Sequence, residues 1–119
     1  PGLESGRRAA KSMLESGFQP TAIFGFNDEC AAGAIGHFLG QGIKIPEDIS
    51  VVGFDDEDIA RAIWPALTTI RQPINRMCDE AIKILVNKQP ENVPETMICP
   101  VELIVRQSSG RAPVLEASG

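Results

Sequence analysis

The sequence predicts an α/β protein: a parallel sheet flanked by helices, with a further helix and strand after it in the chain. Three observations lead there. Two short apolar runs, Thr21 to Phe26 and Ile49 to Phe54, are each closed by polar residues, as suits strands buried on both faces of a parallel sheet. Segments of helical periodicity precede and separate them, and glycines stand where those periods stop. The helix, strand, helix, strand rhythm matches right-handed crossovers in one sheet.

Taken in order, Leu3, Ala10, Met13 and Leu14 share one helical face, and Gly17 follows as a stop. Pro20 and Asn27 bound the first strand. Asp28 is suited to cap the next helix, which carries Cys30, Ala31, Ala34, Ile35, Phe38 and Leu39 and ends at Gly40 and Gly42. The second strand leads into the acids Asp55, Asp56, Glu57 and Asp58, and Leu67 to Ile70 is a third strand candidate. After Pro73, the residues Ile74, Met77, Cys78, Ala81, Ile82 and Leu85 form an amphipathic helix. That apolar face calls for cover, from another copy or by folding back onto the sheet. Asn87 to Pro94 reads as a loop, Met97 to Val105 as strand with Pro100 at an edge or bend, and Gly110 onward as a loose tail.

Composition narrows the function. The chain has 119 residues, one domain's worth. It opens on Pro1-Gly2 without Met and reads as part of a longer protein. It carries a net charge of -5, a poor balance for gripping a phosphate backbone. No run approaches the ~20 apolar residues of a membrane-spanning helix, and no secretory pattern opens the chain. Cys30, Cys78 and Cys99 lack CxxC spacing, and His37 is the one histidine, so three buried thiols in a reducing compartment are expected rather than zinc ligands or disulfides.

Ligands of open parallel sheets bind beyond the carboxyl ends of the strands. Asn27 follows one strand and Asp55 another, which puts an amide and a carboxylate on one edge, suited to a small molecule rich in hydroxyl or amine groups. The plainer reading makes Asn27 and Asp28 helix caps and Asp55 a turn residue. The acidic run also fits a Mg²⁺-dependent phosphotransfer site, but no glycine-rich phosphate loop accompanies it and no lysine follows Thr68-Thr69. His37 lies off its helix's apolar stripe. No catalytic residue, metal site or cofactor is assigned. The helix from Asp28 to Leu39 is apolar nearly all round, which predicts burial on both sides. Trp64, in Ile63-Trp64-Pro65, suits either an interface anchor or a packed core.

Three longer runs carry a resemblance. Pro20 to Asp28, Ile45 to Asp56 and Pro65 to Pro73, with the opening Glu4-Ser5-Gly6 and the closing Pro100 to Arg106, closely resemble the lactose-repressor/galactose-repressor family of bacterial transcription regulators over residues 3 to 109. The resemblance implies a periplasmic-binding-protein-like core of two subdomains with the effector between them. Residues 1-73 would belong to the C-terminal subdomain and 74-105 to the N-terminal one, with 106-119 a return segment and tail. It further implies effector contacts at Asn27, Asp55 and Ile74, with Pro1 in the slot where the family often has a stacking aromatic. A homodimer interface would hold Ala31, Ala32, Ile35, Ile63 and Trp64. The expected function is the effector-sensing part of a cytoplasmic repressor, binding a sugar or nucleoside, and touching a DNA operator only through a domain outside this chain. The alternative is a periplasmic sugar-binding protein.

Overall fold

The computed structural model describes residues 2–86 and 98–114. Their order is α1 (Leu3–Glu15), β1 (Ala22–Phe24), α2 (Asp28–Gly40), β2 (Ser50–Val52), α3 (Asp58–Ala62), β3 (Thr69–Arg71), α4 (Ile74–Val86) and β4 (Glu102–Ile104). β1 and β2 pair in parallel with Ala22 opposite Ser50 and Phe24 opposite Val52. A parallel bridge from Val52 to Thr68 continues the layer through the residue before β3. β3 itself then pairs antiparallel with β4, Thr69 opposite Ile104. One stretch, Thr68 to Arg71, thus links two sheets.

The core lies between this parallel layer and α2. Phe38, Val51 and Leu67 are fully buried, with Ile35, Ile45, Ile49 and Ala60 around them. Each large side chain so buried stabilises the fold by roughly 1.5–3 kcal/mol. The all-round apolarity of α2 follows from three neighbours, since α1, α3 and β2 all pack against it. α1 approaches so closely that glycine is required on both sides. A Cβ on Gly6 would stand 1.9 Å from the Cys30 carbonyl oxygen, and one on Gly33 2.0 Å from that of Leu3.

Several expectations change. β1 is not buried on both faces: it pairs with β2 on one edge, and Ala22 and Phe24 stay exposed. The cap of α2 is Asn27 rather than Asp28; the Asn27 side chain accepts from the Cys30 N–H at 2.8 Å. Short α3 went unforeseen because five residues give no usable period. The cysteines are free, yet none is fully buried, and Cys78 is exposed on α4. His37 is half-buried in the last turn of α2. The apolar face of α4 does not fold back onto the parallel layer: the helix has no buried residue, and Ile74, Met77, Ile82 and Leu85 are exposed. It borders an open apolar trough of about 480 Å³ shared with Ile98, Cys99 and Val101.

The return segment is firmly held as far as Gly110, where the loose tail was expected to begin. Fully buried Ser108 fills the gap between β2 and Thr68: its hydroxyl donates to the Val51 carbonyl at 2.6 Å and accepts from the Thr68 N–H at 2.8 Å. Its own carbonyl accepts from the Val51 N–H at 2.8 Å. Gly110 then exchanges hydrogen bonds with the Ser50 hydroxyl. β4 begins after Pro100, while the expected loop from Asn87 to Pro94 and the strand start at Met97 fall outside the described residues.

Candidate functional site

The parallel ladder does not stop where β1 and β2 end. Beyond them, the Gly25 N–H donates to the Val52 carbonyl at 2.7 Å and the Asp28 N–H to the Phe54 carbonyl at 3.1 Å. Those two bonds carry Asn27 alongside Phe54 and Asp55 at the carboxyl edge of the sheet. The result is an open cavity of about 600 Å³ lined by Phe24, Phe26, Asn27, Phe54 and Asp55. Three aromatic walls with a few convergent polar groups is the usual make-up of a small-molecule site.

Asn27 performs the plainer task as well. Its side-chain oxygen is occupied by the helix cap, worth about 1 kcal/mol, while its amide N–H groups have no partner among the described residues. Asp55 offers the complement. One carboxylate oxygen accepts from the Gln72 amide at 2.7 Å, and the other has no partner among the described residues. The edge therefore presents donors from Asn27 beside an acceptor from Asp55, a pairing that fits a hydroxyl or a ring nitrogen bearing hydrogen.

Asp55 and Asp56 both adopt left-handed backbone, with φ of 108° and 56°. Such conformations cost of order 1–3 kcal/mol each in non-glycine residues and persist only under firm support. The support is dense. The Asp55 N–H donates to the Ile70 carbonyl at 2.8 Å. The Asp56 side chain, 3% exposed, takes Arg106 at 2.8 Å on one oxygen and Arg71 at 2.8 Å on the other, with Arg61 at 3.7 Å. Next to it, buried Asp28 accepts from the Glu57 N–H at 2.6 Å and from the Thr69 hydroxyl at 2.5 Å.

Burial by itself would raise the Asp56 carboxyl, but hydrogen bonds and charge from Arg106 and Arg71 outweigh it and hold the group below its ordinary value of 3.8. Glu57 goes the other way. Burial, then the charges of Glu29, Asp28 and Asp55, raise it above 4.5. The arrangement counts against the phosphotransfer reading: both Asp56 oxygens face guanidinium groups, which repel a divalent cation, and no cluster of three metal-ligating side chains occurs among the described residues.

The other expected residues are distributed unevenly. Ile74 opens α4 half exposed and does not line the cavity with Asn27 and Asp55. Pro1 lies outside the described residues. Ala31, Ala32 and Ile35 are at most 7% exposed, covered by neighbours within the same chain, so they present almost no surface to a second copy. Ile63 is half-buried, and Trp64, 76% exposed, is no core residue. Residue reasoning missed Phe24, Phe26 and Phe54, which counted only as strand formers. It also missed Gln72, because the third strand read as Leu67 to Ile70 stops one residue short of the observed end at Arg71.

The comparisons with known proteins agree with this architecture. The family model for the periplasmic binding protein-like domain matches residues 2–109. The chain is 39% identical over 109 residues to the HTH-type transcriptional regulator DegA of Bacillus subtilis, covering 90% of this chain and 32% of that protein. Among solved structures, a lac repressor dimer bound to operator and the anti-inducer ONPF superposes with a TM-score of 0.85 at 32% identity, over 91% of this chain and 38% of that one. A transcriptional regulator from Enterococcus faecium with bound ribose gives 0.76 at 34% identity, over 96% and 42%. The chain spans about a third of the length of the curated relatives it matches. No helix among the described residues is long and apolar enough to cross a membrane.

Proposed function

The chain belongs to the periplasmic binding protein-like domain family, as an effector-binding core of the lactose-repressor/galactose-repressor kind, and from that premise we propose that it is the sensing part of a bacterial transcription repressor that binds a small polyhydroxylated metabolite. The observation that carries the reading is the single cavity holding the free donors of Asn27, the free acceptor of Asp55 and the rings of Phe24, Phe26 and Phe54. The ribose in the Enterococcus faecium relative supports a sugar or nucleoside as the class. The protein is a cytoplasmic switch without catalytic machinery.

α4 contributes to a second wall of the cleft, which accounts for its having no buried residue in this chain alone and brings Ile74 to the effector. An effector that binds one closure of the two walls more tightly shifts the population and thereby the DNA-binding heads. Equal affinity for both closures would shift nothing. The relatives include a dimer, and the surface this chain offers for one is the exposed Trp64 with Ile63.

Thermal shift of the full-length protein against sugars, nucleosides and purines tests the proposal. A ligand at 100 times its Kd stabilises by about 2.7 kcal/mol. Asp55→Ala and Asn27→Ser, the latter keeping a helix cap, should each abolish most of that shift. Undiminished shifts in both variants would refute the site.

A further inference from the structure

Asp56 lies beside the cavity without lining it. Its side chain is 3% exposed although it stands in the acidic run, and it bonds two segments distant in sequence. Arg71 belongs to β3, directly before Gln72. Arg106 follows β4 and itself donates to the Leu67 carbonyl at 2.9 Å, while its N–H donates to the Thr68 hydroxyl at 2.9 Å. The Asp56 N–H also approaches the Thr69 hydroxyl at 3.4 Å. These partners tie the turn after β2 to the stretch from Thr68 to Arg71 that links the two sheets and to the segment after β4.

The consequence falls on Asp55. Its peptide neighbour is clamped, its own backbone is left-handed, and Gln72 holds one of its carboxylate oxygens. Left free, Asp55 would favour negative φ, which would turn the carboxylate out of its place at the cavity edge. We propose that Asp56 and Gln72 are positioning residues: with Arg71 and Arg106 they hold the Asp55 carboxylate ready to accept from the effector, so that affinity depends on side chains that never touch it. The inference rests on the reading of Asp55 as an effector contact given above. Its physical basis is preorganisation, since an acceptor already held in place loses little freedom on binding.

A double-mutant cycle on the full-length protein separates positioning from general support. The probe is whichever of D-ribose, D-galactose, inosine and hypoxanthine binds most tightly by calorimetry. Asp56→Asn should weaken binding about tenfold when Asp55 is present, the scale of one charge-assisted hydrogen bond, and add no further loss in an Asp55→Ala background. The melting temperature should fall in both backgrounds, because the ion pairs are lost in both. Equal fold losses with and without Asp55, or no loss with Asp55 present, would overturn the positioning role while leaving the site reading intact. Should Asp56→Asn fail to fold, Gln72→Met run through the same cycle decides by the same criteria. If Asp55→Ala binds like wild type, or none of the four compounds binds, the functional reading fails and this inference with it.

Discussion

Gly33 and Gly36 lie one turn apart on α2, and general helix propensity treats them alike. Either glycine replaced by alanine should stabilise an interior helical position by about 1 kcal/mol. The packing separates them. At Gly36 nothing lies within 4 Å of an added Cβ, so Gly36→Ala should realise that gain. At Gly33 the Cβ would meet the Leu3 carbonyl oxygen at 2.0 Å, its carbon at 2.8 Å and the Arg7 nitrogen at 3.0 Å. All three are backbone, so no rotamer change relieves them. α1 must retreat as a body toward the 3.4 Å of ordinary contact, opening its interface with α2. Overpacking of this kind costs about 1–3 kcal/mol, and a backbone clash belongs at the upper end. Subtracting the propensity gain leaves Gly33→Ala destabilised by about 2 kcal/mol, hence about 3 kcal/mol below Gly36→Ala. With a urea slope of about 1–3 kcal/mol/M, the midpoints followed by circular dichroism should differ by about 1 M or more. Gly6→Ala should behave like Gly33→Ala, and the double variant should lose less than the sum, because the helices separate only once. A Gly33→Ala midpoint at or above wild type would refute the close approach of the two helices.

Further outcomes concern the bonds that hold the carboxyl edge and its support. Ser108→Ala strips partners from the buried Thr68 N–H and Val51 carbonyl and should cost roughly 2–4 kcal/mol, read from the same urea titration; a loss under 0.5 kcal/mol would show that water replaces the hydroxyl. The folded Asp56 carboxyl lies below 3.8, so its contribution is fully present above that value and is lost as pH falls through the lower folded one; the stability gap between wild type and Asp56→Asn should be constant above about pH 5 and close below it. Glu57 has the opposite sign. Its folded value is above 4.5, so its favourable contribution is present below 4.5 and lost as pH rises through the folded value, and Glu57→Gln should gain on wild type as pH climbs from 4 to 7. Melting temperatures across that range check both, and parallel curves for wild type and either variant would contradict the assigned shifts.

Much of this fold is legible residue by residue. The short apolar runs at Ile23 and Val51, the period of α1 and α4, and the polar residues closing each strand report local preferences that survive in the folded chain. The candidate site was legible through one rule, since side chains just past parallel strands share an edge, and Asn27 and Asp55 line one cavity. The choice posed for Asn27 between cap and ligand contact was a false one: its oxygen caps α2 while its amide stays available, because the two ends of one side chain can serve different partners. The burial of β1 was misjudged because an apolar run reports a preference for cover, whereas cover of a strand's face comes from a layer packed on it, and Ala22 and Phe24, though paired with β2, stay exposed on theirs.

Local spacing determined the order of strands and helices, the stops at Gly17 and Asn27, and the amphipathic face of α4, since each depends on residues a few positions apart. Partnership was settled only in three dimensions. Asp56 meets Arg71 and Arg106 across 15 and 50 positions, Asp28 meets Thr69 across 41, and Ser108 seals a gap in a layer formed 57 residues earlier. No periodicity encodes such pairs. They form because strand register brings distant polar groups together where water is excluded, and there an unpartnered charge or N–H is too costly to leave.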